Sequence, residues 1–275
     1  MTPHPICRTC GVQYEAPRPD CPVCLDERQY VGWQGQRWTT LEELRSEGFH
    51  GRVAEEGPSV VGIGCEPSFA IGQRALLLRS ENGNVLWDCI TYIDDELVAA
   101  VNDLGGISTI AISHPHYYAT MAEWAEAFDA PVYVHTADRQ WLGRPGPFIS
   151  FWEGDTYQVA PGMTLINAGV HFAGGTVLHW SASADRVAAL FSGDIFQVVM
   201  DRRWVSFMYS YPNLIPERPA TVRRAVELVR PFEFERIYGA WWGRVVASDG
   251  AAALRRSVVR YLSYTTEETS SGSPR

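Results

Sequence analysis

Ile107-Ser-Thr-Ile-Ala-Ile-Ser113-His114-Pro115-His116-Tyr117-Tyr118 is an apolar run that ends directly in two histidines. Residues 107–113 read as a strand, and alternate residues at a strand end can direct two imidazoles to one point. A metal ion uses such an arrangement and a hydrophobic core does not. The pair alone is weak evidence, because histidines also serve as core or surface residues. Two later segments strengthen it. Gly169-Val-His171-Phe172-Ala-Gly174-Gly175 puts a histidine in a glycine-rich loop between two strands, where backbone can approach a site closely. Leu190-Phe-Ser-Gly193-Asp194 puts a carboxylate directly after another apolar strand. Groups at strand ends and in the loops beyond them are where sites sit on a rigid scaffold.

In their order along the chain, these segments resemble the metallo-β-lactamase fold hydrolases over roughly residues 60–261. The family's first loop is T/S-H-x-H-x-D-H. A G-H-[ST]-x-G-S-like loop, an F-[ST]-G-D strand end and a last histidine near the C-terminal strand follow. His114 and His116 match the first two loop histidines, His171 the histidine of the second loop, and Asp194 the metal-bridging aspartate. The resemblance implies an α/β fold, an αββα sandwich with its site at the mouth between the sheets.

The departures bear on metal number. Tyr118 and Ala119 stand where the family loop has Asp and then His, and Ala240-Trp241-Trp242 where the final histidine would fall. These are second-metal positions, so the resemblance implies one ion, held by His114, His116 and His171 with Asp194. Three imidazoles and an open position suit Zn²⁺ and a water of lowered pKa. Asp194 would then be a ligand or the general base. The same atoms allow a second reading, since His114, His171 and Asp194 also make the two-histidine, one-carboxylate set of non-haem Fe(II) oxygenases, and iron-dependent persulfide dioxygenases share the fold that the resemblance implies. A third reading is a non-catalytic binding module whose metal site has decayed.

Working outward, Thr40-Leu-Glu-Glu43 is a capping box opening a helix to about Ser46. Residues 74–79 and 85–90 read as a hairpin around Glu81-Asn82-Gly83. Asp94 caps a helix that Gly105-Gly106 ends. A helix over 121–128, a strand over 131–135, and strands near 157–159, 163–168, 176–180 and 187–191 follow. The chain then reverts to helix (220–229), strand (236–238) and helix (250–261). No G-x-G-x-x-G or G-x-x-x-x-G-K-[ST] nucleotide cradle is present.

At the other end, Cys7-Arg-Thr-Cys10 and Cys21-Pro-Val-Cys24 are two C-x-x-C turns ten residues apart. Two such turns facing each other make a four-thiolate cage for structural zinc, and Gly11 follows where the turn calls for positive φ. A redox pair is the alternative. The proline-rich segment between the turns has little aliphatic material to fold around without a metal. The expected division is a knuckle and short helix over 1–50, the main domain over 51–264, and a disordered tail over 265–275.

The chain of 275 residues carries 23 Lys and Arg against 32 Asp and Glu, a formal charge of −9. That balance, without a basic run, argues against nucleic-acid binding. No apolar run is long enough to span a membrane, and no leader is evident, so a cytoplasmic protein with reduced thiols is expected. Tyr117, Tyr118, Phe151, Trp152, Phe172, Trp241 and Trp242 fall in or beside the loops of the site, which points to a small apolar or aromatic substrate. Tyr118 is the candidate hydroxyl donor to a developing oxyanion, and Tyr117, Phe172, Trp241 and Trp242 are candidate substrate contacts. The aromatic loop over 206–213 is a candidate lid. His135 is expected near the cleft without ligating, His179 as structural, and Cys65 and Cys89 as small buried side chains. A homo-oligomer is left open.

Overall fold

The computed structural model describes residues 4–183 and 185–266. Two sheets face each other. The first has seven strands in chain order: His50–Gly57, Val60–Glu66, Ala75–Leu78, Val85–Trp87, Thr109–Ala111, Val132–His135 and Ile149–Trp152. Its first four strands are antiparallel neighbours and the rest are added in parallel. The second sheet orders Thr156–Ala160, Met163–Asn167, Thr176–Trp180, Ala189–Gly193, Arg236–Gly239 and Val245–Val246.

The central strands are buried on both faces, so their period-two alternation sorts apolar residues between two cores rather than between core and water. Leu76, Leu78, Val85, Trp87 and Ala111 of the first sheet meet Met163, Leu165, Leu178, Ala189 and Phe191 of the second. Their neighbours in sequence turn outward. Leu77, Leu86 and Ile110 pack under the helices Asp95–Asp103 and Met121–Phe128. Ile166, Val177 and Leu190 pack under Pro219–Val229 and Gly250–Thr265. The result is the expected αββα sandwich. Each fully buried Leu or Val contributes roughly 1.5–3 kcal/mol of transfer free energy to it.

Most of the expected elements form, including the Thr40 capping box and the Asp94 cap. The stretch over residues 50–66 is an element that the sequence pattern does not announce. It is a long hairpin, His50–Gly57 with Val60–Glu66, at the edge of the first sheet. The outer strand is polar and mostly exposed, so it lacks the apolar alternation of a half-buried strand. The inner one carries Gly62 and Gly64 because the Trp242 ring lies on it; a Cβ at Gly62 would meet that ring at 2.5 Å.

The N-terminal segment shares its core with the main sandwich. Cys7, Cys10, Val12, Tyr14, Cys21 and Cys24 belong to one apolar cluster with Leu77, Ile110, Tyr117 and Trp124. Gln13 N donates to Ala119 O at 2.9 Å, and Thr91 Oγ1 to Gly11 O at 3.0 Å. The packing partner that its sparse aliphatics require thus comes from the same chain. The last helix continues through Thr265, into the expected tail, whose residues beyond 266 lie outside the described ones. Among the described residues, no helix is long and apolar enough to cross a membrane.

Candidate metal centre

Both sheets end at the site. The strand Thr109–Ala111 runs on to Ser113, whose carbonyl accepts from Thr176 N at 2.9 Å and ties the two sheets together there. His114 then caps a single 3₁₀ turn, Pro115–Tyr117, that places His116 beside it. Proline suits the first position of that turn, since its fixed φ is near the helical value and its missing N–H has no role there. His171 arrives from the loop between Met163–Asn167 and Thr176–Trp180.

The three rings form a near-equilateral set, with centroids 5.2, 5.0 and 5.0 Å apart. One ligating atom from each lies within 4.8 Å of the others. His171 Nε2 stands 3.2 Å from His116 Nδ1. The outer nitrogens of two rings are held: His114 Nδ1 lies 2.8 Å from Ser113 Oγ, and His171 Nδ1 lies 2.7 Å from Tyr209 O. The Tyr209 carbonyl can only accept, so it fixes the His171 tautomer and aims its Nε2 lone pair inward, while Ser113 orients the His114 ring. Burial, followed by the neighbouring His171, drives the proton affinity of His114 and His116 well below the ordinary imidazole value. Burial also pushes His171 down to about 4. All three rings are therefore neutral, as ligation requires.

Asp194 follows the strand Ala189–Gly193 and places Oδ1 3.2 Å from His114 Nε2. Neither atom has a hydrogen-bond partner, and both are buried. A buried nitrogen and a buried oxygen that face each other with no hydrogen bond between them suit an ion held by both. Left uncompensated, each would carry a desolvation cost of about 1–3 kcal/mol. Burial pushes the Asp194 carboxyl up to about 7. Gln73 Nε2 reaches its Oδ2 at 3.4 Å, and the Tyr211 hydroxyl donates to its backbone carbonyl.

The expected aromatics divide. Tyr117 is buried with its ring edge-on to His114 at 5.4 Å. Phe172 is a wall of the site, stacked on His114 at 5.6 Å. Trp241 lines a cavity of about 360 Å³ with His116, Asp194, Tyr211, Arg28 and Ile71. Trp242 lies on Gly62 and Gly64 and, with His116, borders a separate cavity of about 210 Å³. Tyr118 requires a correction. Its buried hydroxyl donates to Asp138 O at 3.1 Å, so it is spent inside the fold and is not poised over the histidines. Phe151 sits under Arg139, and Trp152 is in the core between the sheets. His135 bonds Gly154 O and Asn167, away from the trio, and His179 bonds Glu233 O.

Sequence reading missed Arg28, Gln73 and Glu217 at this site. Glu217 accepts from His171 N at 2.9 Å, which steadies a non-glycine residue with φ at +67°. Tyr211 belongs to the aromatic loop 206–213, the candidate lid. Part of that loop forms a small hairpin, Met208–Ser210 with Ile215–Pro216, against the site.

The second cluster lies at the N-terminus. Cys7 Sγ and Cys24 Sγ are 3.7 Å apart, and Cys10 Sγ and Cys21 Sγ 3.6 Å. A tetrahedron with metal–sulfur bonds of about 2.3 Å has edges close to these values. Gly11 takes φ +83°, and a Cβ there would strike Thr91 Oγ1. Gln36 Nε2 donates to Cys7 Sγ at 3.2 Å, and the Tyr14 hydroxyl lies 3.1 Å from Cys21 Sγ. These contacts suit sulfur that carries negative charge.

Comparison with known proteins agrees with this architecture. No family model matches the chain. The uncharacterized protein YmaE of Bacillus subtilis (strain 168) is 47% identical over 264 residues, covering 94% of this chain and 96% of YmaE. Among solved structures, the DIM-1 metallo-β-lactamase exposed to ceftazidime superposes with a TM-score of 0.56 at 13% identity, over 76% of this chain and 95% of that one. A B3 metallo-β-lactamase with an active-site glutamic acid gives 0.53 at 14%, over 84% and 97%. MIM-1 from Novosphingobium pentaromativorans gives 0.52 at 16%, over 78% and 89%. At these identities the solved structures speak for the fold, and the Bacillus relative for the family. The chain belongs to the family of YmaE, and its fold is that of the metallo-β-lactamases.

Proposed function

We propose that the protein is a metal-dependent hydrolase of a small molecule, with a single ion held by His114, His116 and His171 beside Asp194. The observation that carries this reading is the set of buried, inward-facing donors with His114 Nε2 and Asp194 Oδ1 unpartnered at 3.2 Å. A divalent ion there supplies Lewis-acid polarisation and a water of lowered pKa. Ser113 and the Tyr209 carbonyl hold two imidazoles in register, and Asp194 would either complete the ligand set through Oδ1 or take a proton from a water bound there. Gln73 and Tyr211 fix Asp194 from either side. The 360 Å³ cavity has an apolar side (Ala70, Ile71, Pro212, Trp241) and a polar one (Thr9, Arg28, Gln29), which fits a compact, partly apolar substrate.

The hydrolase reading takes all three imidazoles as ligands, whereas the two-histidine, one-carboxylate iron set would use His114, His171 and Asp194. A decayed site is disfavoured, since the unpartnered buried donors would then cost stability with no return. Zinc is proposed for both sites, structural at the cysteines. A cytoplasmic setting with a free small molecule in place of nucleic acid or membrane completes the reading.

The test is an assay over small esters, thioesters, lactones and amides, run in H₂¹⁸O beside an oxygen electrode. Turnover with ¹⁸O in the product, abolished in folded His116→Ala, is expected. Oxygen consumption without hydrolysis would transfer the site to iron chemistry. Hydrolysis undiminished in the variant would refute the assignment.

A further inference from the structure

Residues 26–30 follow the one-turn helix Pro22–Leu25, which carries Cys24, yet they lie against the histidine site. Arg28 is the centre of this contact. Asp26 grips its guanidinium on two nitrogens, with Nη2–Oδ2 at 2.8 Å, and also accepts from Arg28 N at 3.0 Å. The remaining nitrogen, Nη1, donates to His171 O at 3.3 Å, and the guanidinium covers the Phe172 ring at 4.2 Å. Ser210 Oγ donates to Arg28 O at 3.1 Å, and Asn213 Nδ2 to Glu27 O at 3.0 Å. The Tyr209 hydroxyl donates to the Glu27 carboxylate. Tyr209 O is in turn the partner of His171 Nδ1 at 2.7 Å.

His171 is therefore held by its carbonyl through Arg28 and by its ring through Tyr209, and both holds lead back to residues 26–28. It needs holding, because its φ of +67° is a left-handed conformation that side chains disfavour. The segment that does the holding is anchored to the cysteine cluster: Leu25 N donates to Cys21 O at 3.0 Å and Asp26 N to Pro22 O at 3.2 Å.

We propose that Arg28 is a positioning residue that keeps His171 in its ligating pose, and that metal binding at the histidines is thereby coupled to metal binding at the cysteines. The inference rests on reading the histidine trio as a metal site. The coupling is reciprocal, as any linkage between two binding sites must be.

The test uses the full chain titrated with Co²⁺. Thiolate ligation gives intense near-ultraviolet charge-transfer bands, whereas imidazole and carboxylate ligation gives only weak visible bands, so the two sites are read separately. Arg28→Met should weaken cobalt binding at the histidines about 10- to 100-fold while the charge-transfer bands persist. Arg28→Lys should weaken it similarly, because an ammonium cannot reproduce the fork to Asp26 together with the bond to His171. Cys24→Ser should diminish the charge-transfer bands and also weaken the histidine site; if it fails to fold, the Arg28 pair decides. Wild-type affinity at the histidines in both Arg28 variants would overturn the proposal, as would wild-type affinity in a folded Cys24→Ser. A wild-type chain showing thiolate bands and no second cobalt would overturn the hydrolase reading itself, an outcome distinct from these.

Discussion

Tyr118 and His116 are two residues apart and have opposite fates. Both follow the strand end, but the 3₁₀ turn carries His116 into the trio and sends the Tyr118 hydroxyl to Asp138 O. Spacing alone could place the pair of histidines, because an apolar strand that stops at Ser113-His114 leaves few ways to use them. It could not give the direction of a side chain one turn later. Tyr118→Phe should cost about 1 kcal/mol of stability, the usual worth of one buried hydrogen bond, and leave turnover within a small factor of wild type. Urea denaturation and the hydrolase assay check both halves; a collapse of turnover in a stable variant would restore Tyr118 to the site. Gly62 makes a similar point. Its place in a strand makes room for the Trp242 ring. Gly62→Val should destabilise by about 1–3 kcal/mol through overpacking and shift the tryptophan fluorescence. An unchanged denaturation midpoint and emission would contradict that packing.

At the scale of elements, legibility followed burial. Strands such as Thr176–Trp180 and Ala189–Gly193 are buried throughout and largely apolar and could be read from sequence, whereas the exposed edge strand His50–Gly57 could not. The 3₁₀ segment Thr136–Trp141 was also not foreseen. It contributes Asp138, whose Oδ1 accepts from Gly174 N at 2.9 Å and so braces the loop that follows His171. Burial pushes this carboxyl up to about 7, against an ordinary value of 3.8, with the Gly174 hydrogen bond and Arg28 opposing. Between those values the folded chain keeps a proton that the unfolded chain has lost. The contribution of Asp138 is therefore fully present below the ordinary value and falls as pH rises toward 7, by at most about 1.4 kcal/mol per pH unit. Asp138→Asn removes this titration. Its stability relative to wild type should be greater at pH 8 than at pH 5, as measured by urea midpoints; a difference independent of pH would contradict the shift.

At the scale of the whole molecule, the four layers bring distant strand ends to one mouth, and the N-terminal cluster is packed into the same body. The order of motifs made the sandwich and the histidine trio legible. The contact between residues 26–30 and the trio was not, because it joins Arg28 to His171 across 143 residues with no local pattern at either end. Because the cysteines share a core with the first sheet, removing their metal should destabilise the entire chain and not only residues 1–50. A strong chelator should therefore lower the unfolding temperature of the whole protein in a single transition by calorimetry; melting of a separate small unit would contradict the shared core. The most direct test of the central claim is elemental analysis of metal per chain in wild type and in folded His116→Ala. Two equivalents in the wild type and one in the variant are predicted. One equivalent in both, unchanged by the loss of the imidazole, would contradict the account.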